Sequence, residues 1–494
     1  MQLKDLTRRK SLTLLFAEAE EHGSHSLKRT LTAVNLVALG IGAIIGAGLF
    51  VRTAAAAANA AGPSVTIGFL IAAFGCLLAG LCYAELSSMI PIAGSAYTYA
   101  YATLGEFVAW IIGWDLVLEY ALGAATVGIA WSEYLNKFLD WSVGWTIPYA
   151  LCHSPFQVSA LGEQGIINLP AVFIIFVLSM LLIRGTHESA VVNNIIVITK
   201  VAIVIMIIFL GWSFINPANH TPYIPDPTLY TDNQGIEHYF GGWKGIIGAA
   251  GIVFFAFIGF DAVSTAAQES KNPKRDMPIG ILVSLAICTV LYVLFSHVLT
   301  GLAPVEFFRD PSKGGEASVT AAIMTYMPGY EWLGNLVTVA ILAGFSSVIL
   351  VMLMGQSRIF FSMSRDGLVP KMFSEVHEKF RTPYKSNIFF FIFVGTFAAF
   401  VPGDIVGDMT SIGTLFAFMI VCAGVLIMRK TDPNAPRQFV TPWVPVVPVL
   451  GIIVCGLMIY GLGWANWARL AVWLAIGFAI YFGYGARRSH LKQG

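Results

Sequence analysis

Long apolar runs, each closed by a short polar or glycine- and proline-containing segment, repeat along the whole chain. A helix needs about 20 apolar residues to cross a bilayer. Runs of that kind lie at about 32–55, 66–89, 105–136, 166–183, 190–211, 243–268, 279–301, 317–357, 386–400, 406–428, 443–461 and 467–486. They predict an all-α integral membrane protein with twelve transmembrane helices. The runs at 105–136 and 317–357 exceed an untilted crossing, which tilt or extension into solvent accommodates. Residues 12–21 read as a short amphipathic helix before the first span, and 217–228 and 306–316 read as surface turns.

Two runs are interrupted from within. Gly42-Ala-Ile-Ile-Gly-Ala-Gly48 places three glycines in the middle of the first span, although glycine costs about 1 kcal/mol relative to alanine inside a helix. The bland reading is a small-residue face for close helix packing. The functional one is a helix that opens near mid-membrane and offers its N–H groups to an anion. The sixth run carries Phe254-Phe-Ala-Phe-Ile-Gly-Phe-Asp261, again with a glycine amid bulky apolar groups. The two interruptions are five spans apart, so their helices enter the bilayer from opposite sides. Paired breaks in oppositely oriented halves point to a midplane transporter site. Half-helix N-termini suit a carboxylate and opened carbonyls suit an ammonium, so an α-amino acid satisfies both.

Four ionisable residues inside the runs are candidates for function. Lys200 is ten residues into its span, about 15 Å deep at 1.5 Å per residue. An ion there is costly and marks function; it reads as a titrating group or as a fixed cation in place of bound sodium. Asp115 and Glu119, four apart, share one helix face and are candidates for a substrate side chain, for Lys200 or for a static network. Asp261 follows the second break, positioned to cap Ser264 or Thr265 or to gate the outward path. Glu85, Glu133 and Glu269 lie near span ends and read as solvated or loop-paired. Phe255 is the candidate aromatic gate, with Phe254, Phe257 and Phe260 packing against neighbours. Tyr97, Tyr99, Tyr101, Trp141, Trp145, Trp464 and Trp467 sit near span ends as interface anchors.

Composition agrees with the pattern: 494 residues, 57% hydrophobic and 12% charged, against about 25% charged in soluble domains. The net charge of +1 gives no nucleic-acid signal. Of the 29 Lys and Arg, 22 fall in alternate segments that include both termini, which predicts a cytoplasmic N-terminus and C-terminus. The opening MQLKDLTRRK has no cleavable signal pattern, so the first span is expected to act as its own insertion signal. Of six cysteines only Cys152 lies outside an apolar run, which implies no disulfide framework. No metal-ligand spacing emerges, and no cofactor is expected.

GAIIGAGLFV (42–51), the segment 82–120 beginning CYAELSSMIPIAGSAY, FFAFIGFDAVSTAAQESKNPKRDMPIG (254–280), SRIFFSMSRDGLVP (357–370) and PWVPVVPVLGI (442–452) together resemble the amino acid–polyamine–organocation superfamily. The resemblance is to its cationic amino acid transporter branch, in a bacterial form. It implies two inverted five-helix repeats with discontinuous first and sixth helices, followed by two C-terminal helices. The segments would be a cytoplasmic 1–30, a first repeat at 31–211, a second at 243–428, two helices within 443–486 and a tail at 487–494. It also implies that the N–H groups of Gly46, Ala47 and Gly48 bind the substrate carboxylate. The carbonyls of Ile44, Phe255 and Ile258 would receive the α-ammonium, with Phe255 as lid, Asp261 as acidic gate and Lys200 in the place of sodium. Some relatives have serine where Ala47 stands, and eukaryotic members usually have fourteen spans.

These readings converge on a proton-coupled importer, not an enzyme, that takes up cationic or small neutral L-amino acids across the bacterial inner membrane by alternating access. An exchanger, or a sensor that binds without transporting, are the alternatives. Expected partners are the amino acid, a proton and membrane lipid, with no nucleic acid; a small membrane protein partner is left open.

Overall fold

The computed structural model describes residues 8–11, 14–15, 29–46, 48–90, 92, 94–159, 162–231, 237–310, 318–461 and 464–490. The expected helix at 12–21 therefore lies almost wholly outside the described residues, as does Ala47.

The principal helices are α1 (Ala33–Ile44), α2 (Val65–Met89), α3 (Ala96–Thr103), α4 (Glu106–Val143), α5 (Leu169–Arg184), α6 (Thr186–Gly211), α7 (Gly242–Phe254), α8 (Pro273–Leu302), α9 (Ser318–Tyr326), α10 (Glu331–Arg365), α11 (Tyr384–Phe400), α12 (Gly403–Thr431), α13 (Val446–Gly461) and α14 (Trp464–Ile480). Among the described residues, eight helical stretches are long and apolar enough to cross a membrane, and three shorter apolar helices accompany them. The first stretch, Ala33–Met89, is 57 residues long and folds back on itself. It turns at Gly62–Ser64, where Gly62 has φ +56° and proline occupies the next position. Gly40 and Gly80, on either side of that turn, face Ser284 and Leu285 respectively. Phe50 and Phe69 face Phe295 and Tyr292 of the same helix. The legs before and after the turn thus run antiparallel along α8.

Sidedness follows helical periodicity. On α6, Asn193, Val197, Lys200, Val204 and Ile207 are buried, while Val191, Ile195, Ile198, Ile205 and Phe209 are exposed. That is a 3.6-residue alternation between a bundle-facing and an outward apolar face. Outward isoleucines and phenylalanines suit lipid, which solvates them as well as a protein core would.

Several expectations change. The run at 317–357 is two helices, α9 and α10, parted by a turn at 327–330 where Gly329 has φ +86°. The fold is not purely α: Thr228–Thr231 (β1) pairs antiparallel with Glu237–Phe240 (β2), directly after the segment 217–228 read as a turn. Tyr97, Tyr99 and Tyr101 are not interface anchors but fully buried; the Tyr97 hydroxyl donates to Asp366 at 2.6 Å and Tyr101 to Glu106 at 3.0 Å. Trp141, Trp145 and Trp467 are exposed, and the side chain of Trp464 lies outside the described residues. Cys152, the cysteine outside the apolar runs, is buried.

One end of the bundle gathers the described segments nearest the two termini, around Arg8–Lys10 and Ser489. The Lys10 ammonium donates to Asp366 at 2.5 Å, and Glu106 N–H donates to the Arg8 carbonyl at 2.9 Å. Glu106 also accepts from the hydroxyls of Tyr481, at 2.9 Å, and Ser489. Of the carboxylates expected to be solvated or loop-paired, two near this end are buried and paired, Glu85 in part with the loop after α12 and Glu269 with a helix. Glu85 receives Arg429, Arg437 and the Thr441 N–H, and Glu269 receives Arg358. A buried carboxylate keeps its charge at low cost only when its lone pairs meet donors, and four contacts on Glu85 meet that requirement.

Candidate functional site

Both interrupted runs are broken, and the breaks lie against each other. α1 ends at Ile44, Ile45 is extended with ψ 102°, and a wider helical turn resumes at Gly48–Arg52. α7 ends at Phe254 and tightens over 255–257; Ile258 is extended with ψ 134°, and Gly259 has φ +111° before a tight helix at Phe260–Glu269. A φ of +111° suits glycine because a Cβ there is strained. Contact imposes the same choice. A Cβ on Gly48 would stand 2.1 Å from Ala256 Cα, and one on Gly259 would stand 2.7 Å from Ala43 Cβ. Each break supplies the glycine that lets the other approach, so the glycines serve packing and interruption together.

Side chains from other helices hold the opened carbonyls. Lys200 Nζ donates to Gly42 O at 2.9 Å, Ile45 O at 2.7 Å and Ser347 Oγ at 2.7 Å. Its three donors meet three oxygens, and Lys200 is fully buried. Neither Asp115 nor Glu119 is among these partners. The Tyr292 hydroxyl, on α8, shares its proton between Ile44 O at 2.7 Å and Ala256 O at 2.9 Å. One hydroxyl thus bridges the two breaks. Asn193 Nδ2 reaches Ala38 O, farther along α1, at 3.2 Å. Tyr292 and Ser347 were missed from sequence; the available signal was a hydroxyl in the middle of an apolar run.

A cavity opens beside the breaks, lined by Ile44, Gly46, Gly48, Phe255 and Ile258 on the main-chain side and by Val127, Val348, Met352 and Thr410 among others opposite. It collects five of the sequence-predicted residues. Phe255 is half-buried at its rim, with the Arg52 guanidinium 5.3 Å from its ring centre. Phe257 packs on Phe69 and Tyr292, while Phe254 and Phe260 pack on Phe418.

Asp261, Asp115 and Glu119 are fully buried but do not line the cavity. Asp261 does not cap the following turn, whose preceding residue is Gly259 with no side-chain cap. Its carboxylate accepts from the Tyr120 hydroxyl, and its carbonyl accepts from Ser264 Oγ at 2.6 Å. The Ser264 hydroxyl thus meets the Asp261 carbonyl of that i→i+3 winding and not the Asp261 carboxylate. Glu119 lies against Asp261 and Thr414, and Asp115 has no hydrogen-bond partner among the described residues.

A family model described as amino acid permease matches residues 31–484. Over 98% of its length the chain is 43% identical to a branched-chain amino acid permease of Bacillus subtilis, covering 99% of that protein. It is 38% identical to a methylthioribose transporter of the same organism, over 99% of this chain and the whole of the relative. It is 35% identical to the vacuolar cationic amino acid transporter 2 of Arabidopsis thaliana, over 87% of this chain and 64% of the plant protein.

Proposed function

We propose that this chain, which belongs to the amino acid permease family, is a secondary active importer that couples L-amino acid uptake to a proton. Membership itself makes it a membrane transporter rather than an enzyme. The finer reading begins with layout: the eight apolar stretches, the three shorter apolar helices and the second leg of the hairpin at 33–89 are twelve spans, arranged as inverted repeats at 31–211 and 243–428 with two helices after them. The end that gathers Arg8–Lys10 and Ser489 also carries the basic loops at 271–275, 358–385 and 429–437, and faces the cytoplasm by the positive-inside rule.

At the site, the N–H groups of Gly46, Ala47 and Gly48 take the substrate carboxylate, and the carbonyls of Ile44, Phe255 and Ile258 take the α-ammonium. Phe255 closes over the bound molecule, and Asp261 acts with Glu119 and Tyr120 beneath it. The observation that carries the coupling is the Lys200 ammonium on the carbonyls of Gly42 and Ile45. A cation is needed there to satisfy oxygens that the break exposes. A lysine supplies it and can exchange a proton, whereas a metal ion would have to unbind. Proton movement at Lys200 then changes how firmly the first break is held.

The relatives' cargoes are branched-chain amino acids, methylthioribose and cationic amino acids, so family alone leaves the substrate open. Uptake of labelled leucine, alanine and arginine into proteoliposomes under separate pH and sodium gradients tests the reading. Accumulation is expected to follow the pH gradient and ignore sodium. Full counterflow with no response to either gradient would replace import by exchange, and binding without flux would replace it by sensing.

A further inference from the structure

We infer that the side-chain end of this cavity takes a neutral aliphatic side chain and rejects a cationic one, with Gly123 setting its size. The inference rests on the cavity being the amino acid site proposed above. Opposite the two breaks the wall is Gly123 and Val127 from α4, Val348 and Met352 from α10, and Thr410 from α12. No lining residue is charged. An ammonium or guanidinium placed against valine and methionine loses its water and gains no partner, which is costly.

The carboxylates lie elsewhere, and three helices agree on where. Glu119 is four residues before Gly123 on α4, Gln356 is four after Met352 on α10, and Thr414 is four after Thr410 on α12. Each step is one turn, about 6 Å. Thr414 and Asp261 neighbour Glu119 in that deeper layer, and the Tyr120 ring packs beside Gly355 within it. Asp261 already accepts the Tyr120 hydroxyl. Glu119 and Asp261 therefore lie in a layer below the substrate's side chain and not in its wall.

Gly123 follows directly on the wide turn Leu118–Leu122 and has an ordinary helical φ of −56°, so alanine fits the backbone. A Cβ there would meet Met352 Sδ at 3.3 Å and Thr410 Cγ2 at 3.5 Å, with no backbone atom among its three nearest neighbours. The added methyl fills cavity space at the cost of a small shift in a flexible thioether. One methyl in an apolar pocket changes selection by roughly 10- to 200-fold.

The test is thermal stabilisation of the purified full-length protein by graded glycine, alanine, valine, leucine, isoleucine, lysine and arginine. Valine, leucine and isoleucine are expected to stabilise at concentrations more than about tenfold below those needed for lysine and arginine. Gly123→Ala and Gly123→Ser are each expected to shift the leucine-to-alanine preference towards alanine by roughly tenfold. Arginine or lysine acting as well as leucine overturns the neutral class. An unchanged leucine-to-alanine ratio in both variants, each melting cooperatively, overturns the role of Gly123. Stabilisation by none of the seven would instead sink the amino acid site itself.

Discussion

The Tyr292 hydroxyl lies 2.7 Å from the Ile44 carbonyl oxygen, and 2.9 Å from that of Ala256, so a single side chain on α8 ties together two interruptions 212 residues apart. A carbonyl has two lone pairs, so Ile44 can hold Tyr292 and still accept from a ligand. Tyr292→Phe removes this tie while keeping the ring that packs on Phe69 and Phe257. Loss of one buried hydrogen bond costs about 1–3 kcal/mol. We expect transport to fall by roughly tenfold with the melting midpoint only slightly lowered; uptake and melting on the same preparation check both.

Lys200→Gln keeps two donors but loses the charge and one hydrogen bond. Uncoupled exchange should survive better than gradient-driven uptake, and pH-driven accumulation should fall by roughly tenfold or more. Full pH-dependent accumulation by this variant in sealed proteoliposomes would remove Lys200 from the coupling.

Gly259→Ala meets both obstacles at once, a φ of +111° and Ala43 Cβ at 2.7 Å. Backbone strain of this kind costs on the order of 1–3 kcal/mol, with the clash added. Gly251→Ala is the control: nothing lies within 4 Å of its new methyl, and helix propensity favours alanine by about 1 kcal/mol. Denaturation midpoints should move in opposite directions.

The Glu269–Arg358 pair is wholly buried, with Nε donating to Oε1 at 2.9 Å. Glu269→Gln should destabilise by about 3–5 kcal/mol, because it strands a guanidinium. Glu269→Leu combined with Arg358→Met should recover most of that loss, measured by thermal unfolding in one detergent.

At the opposite end the His220 ring lies tilted 4.5 Å from that of His297, with its Nε2 3.3 Å from Thr300 Oγ1, and Tyr223 bridges His297 and Thr66. Burial, and secondarily His297, push the His220 imidazole below its ordinary 6.5. The docked loop thus holds neutral His220, and its docking is complete above pH 6.5. It weakens as pH falls from 6.5 through the lowered value, because the undocked histidine takes up the proton first. Hydrogen exchange over residues 212–225 should rise across that window, and His220→Gln should flatten the rise.

The sequence by itself determined the bilayer as solvent, the positions of the apolar helices and the two interruptions. Run length, glycine placement and the depth of Lys200 are properties of the local chain, and a membrane leaves the backbone few ways to satisfy them. That Phe254, Phe257 and Phe260 pack against neighbours was legible for the same reason. Tertiary structure alone decided the partners. It gave Lys200 to Gly42, Ile45 and Ser347 rather than to a carboxylate, recruited Tyr292 from a distant helix, paired Glu269 with Arg358 of α10 rather than with solvent or a loop, and buried three tyrosines that position had marked as interface anchors. Helical periodicity fixes which face a side chain leaves from, but only the crossing of helices far apart in sequence fixes which polar atom waits there.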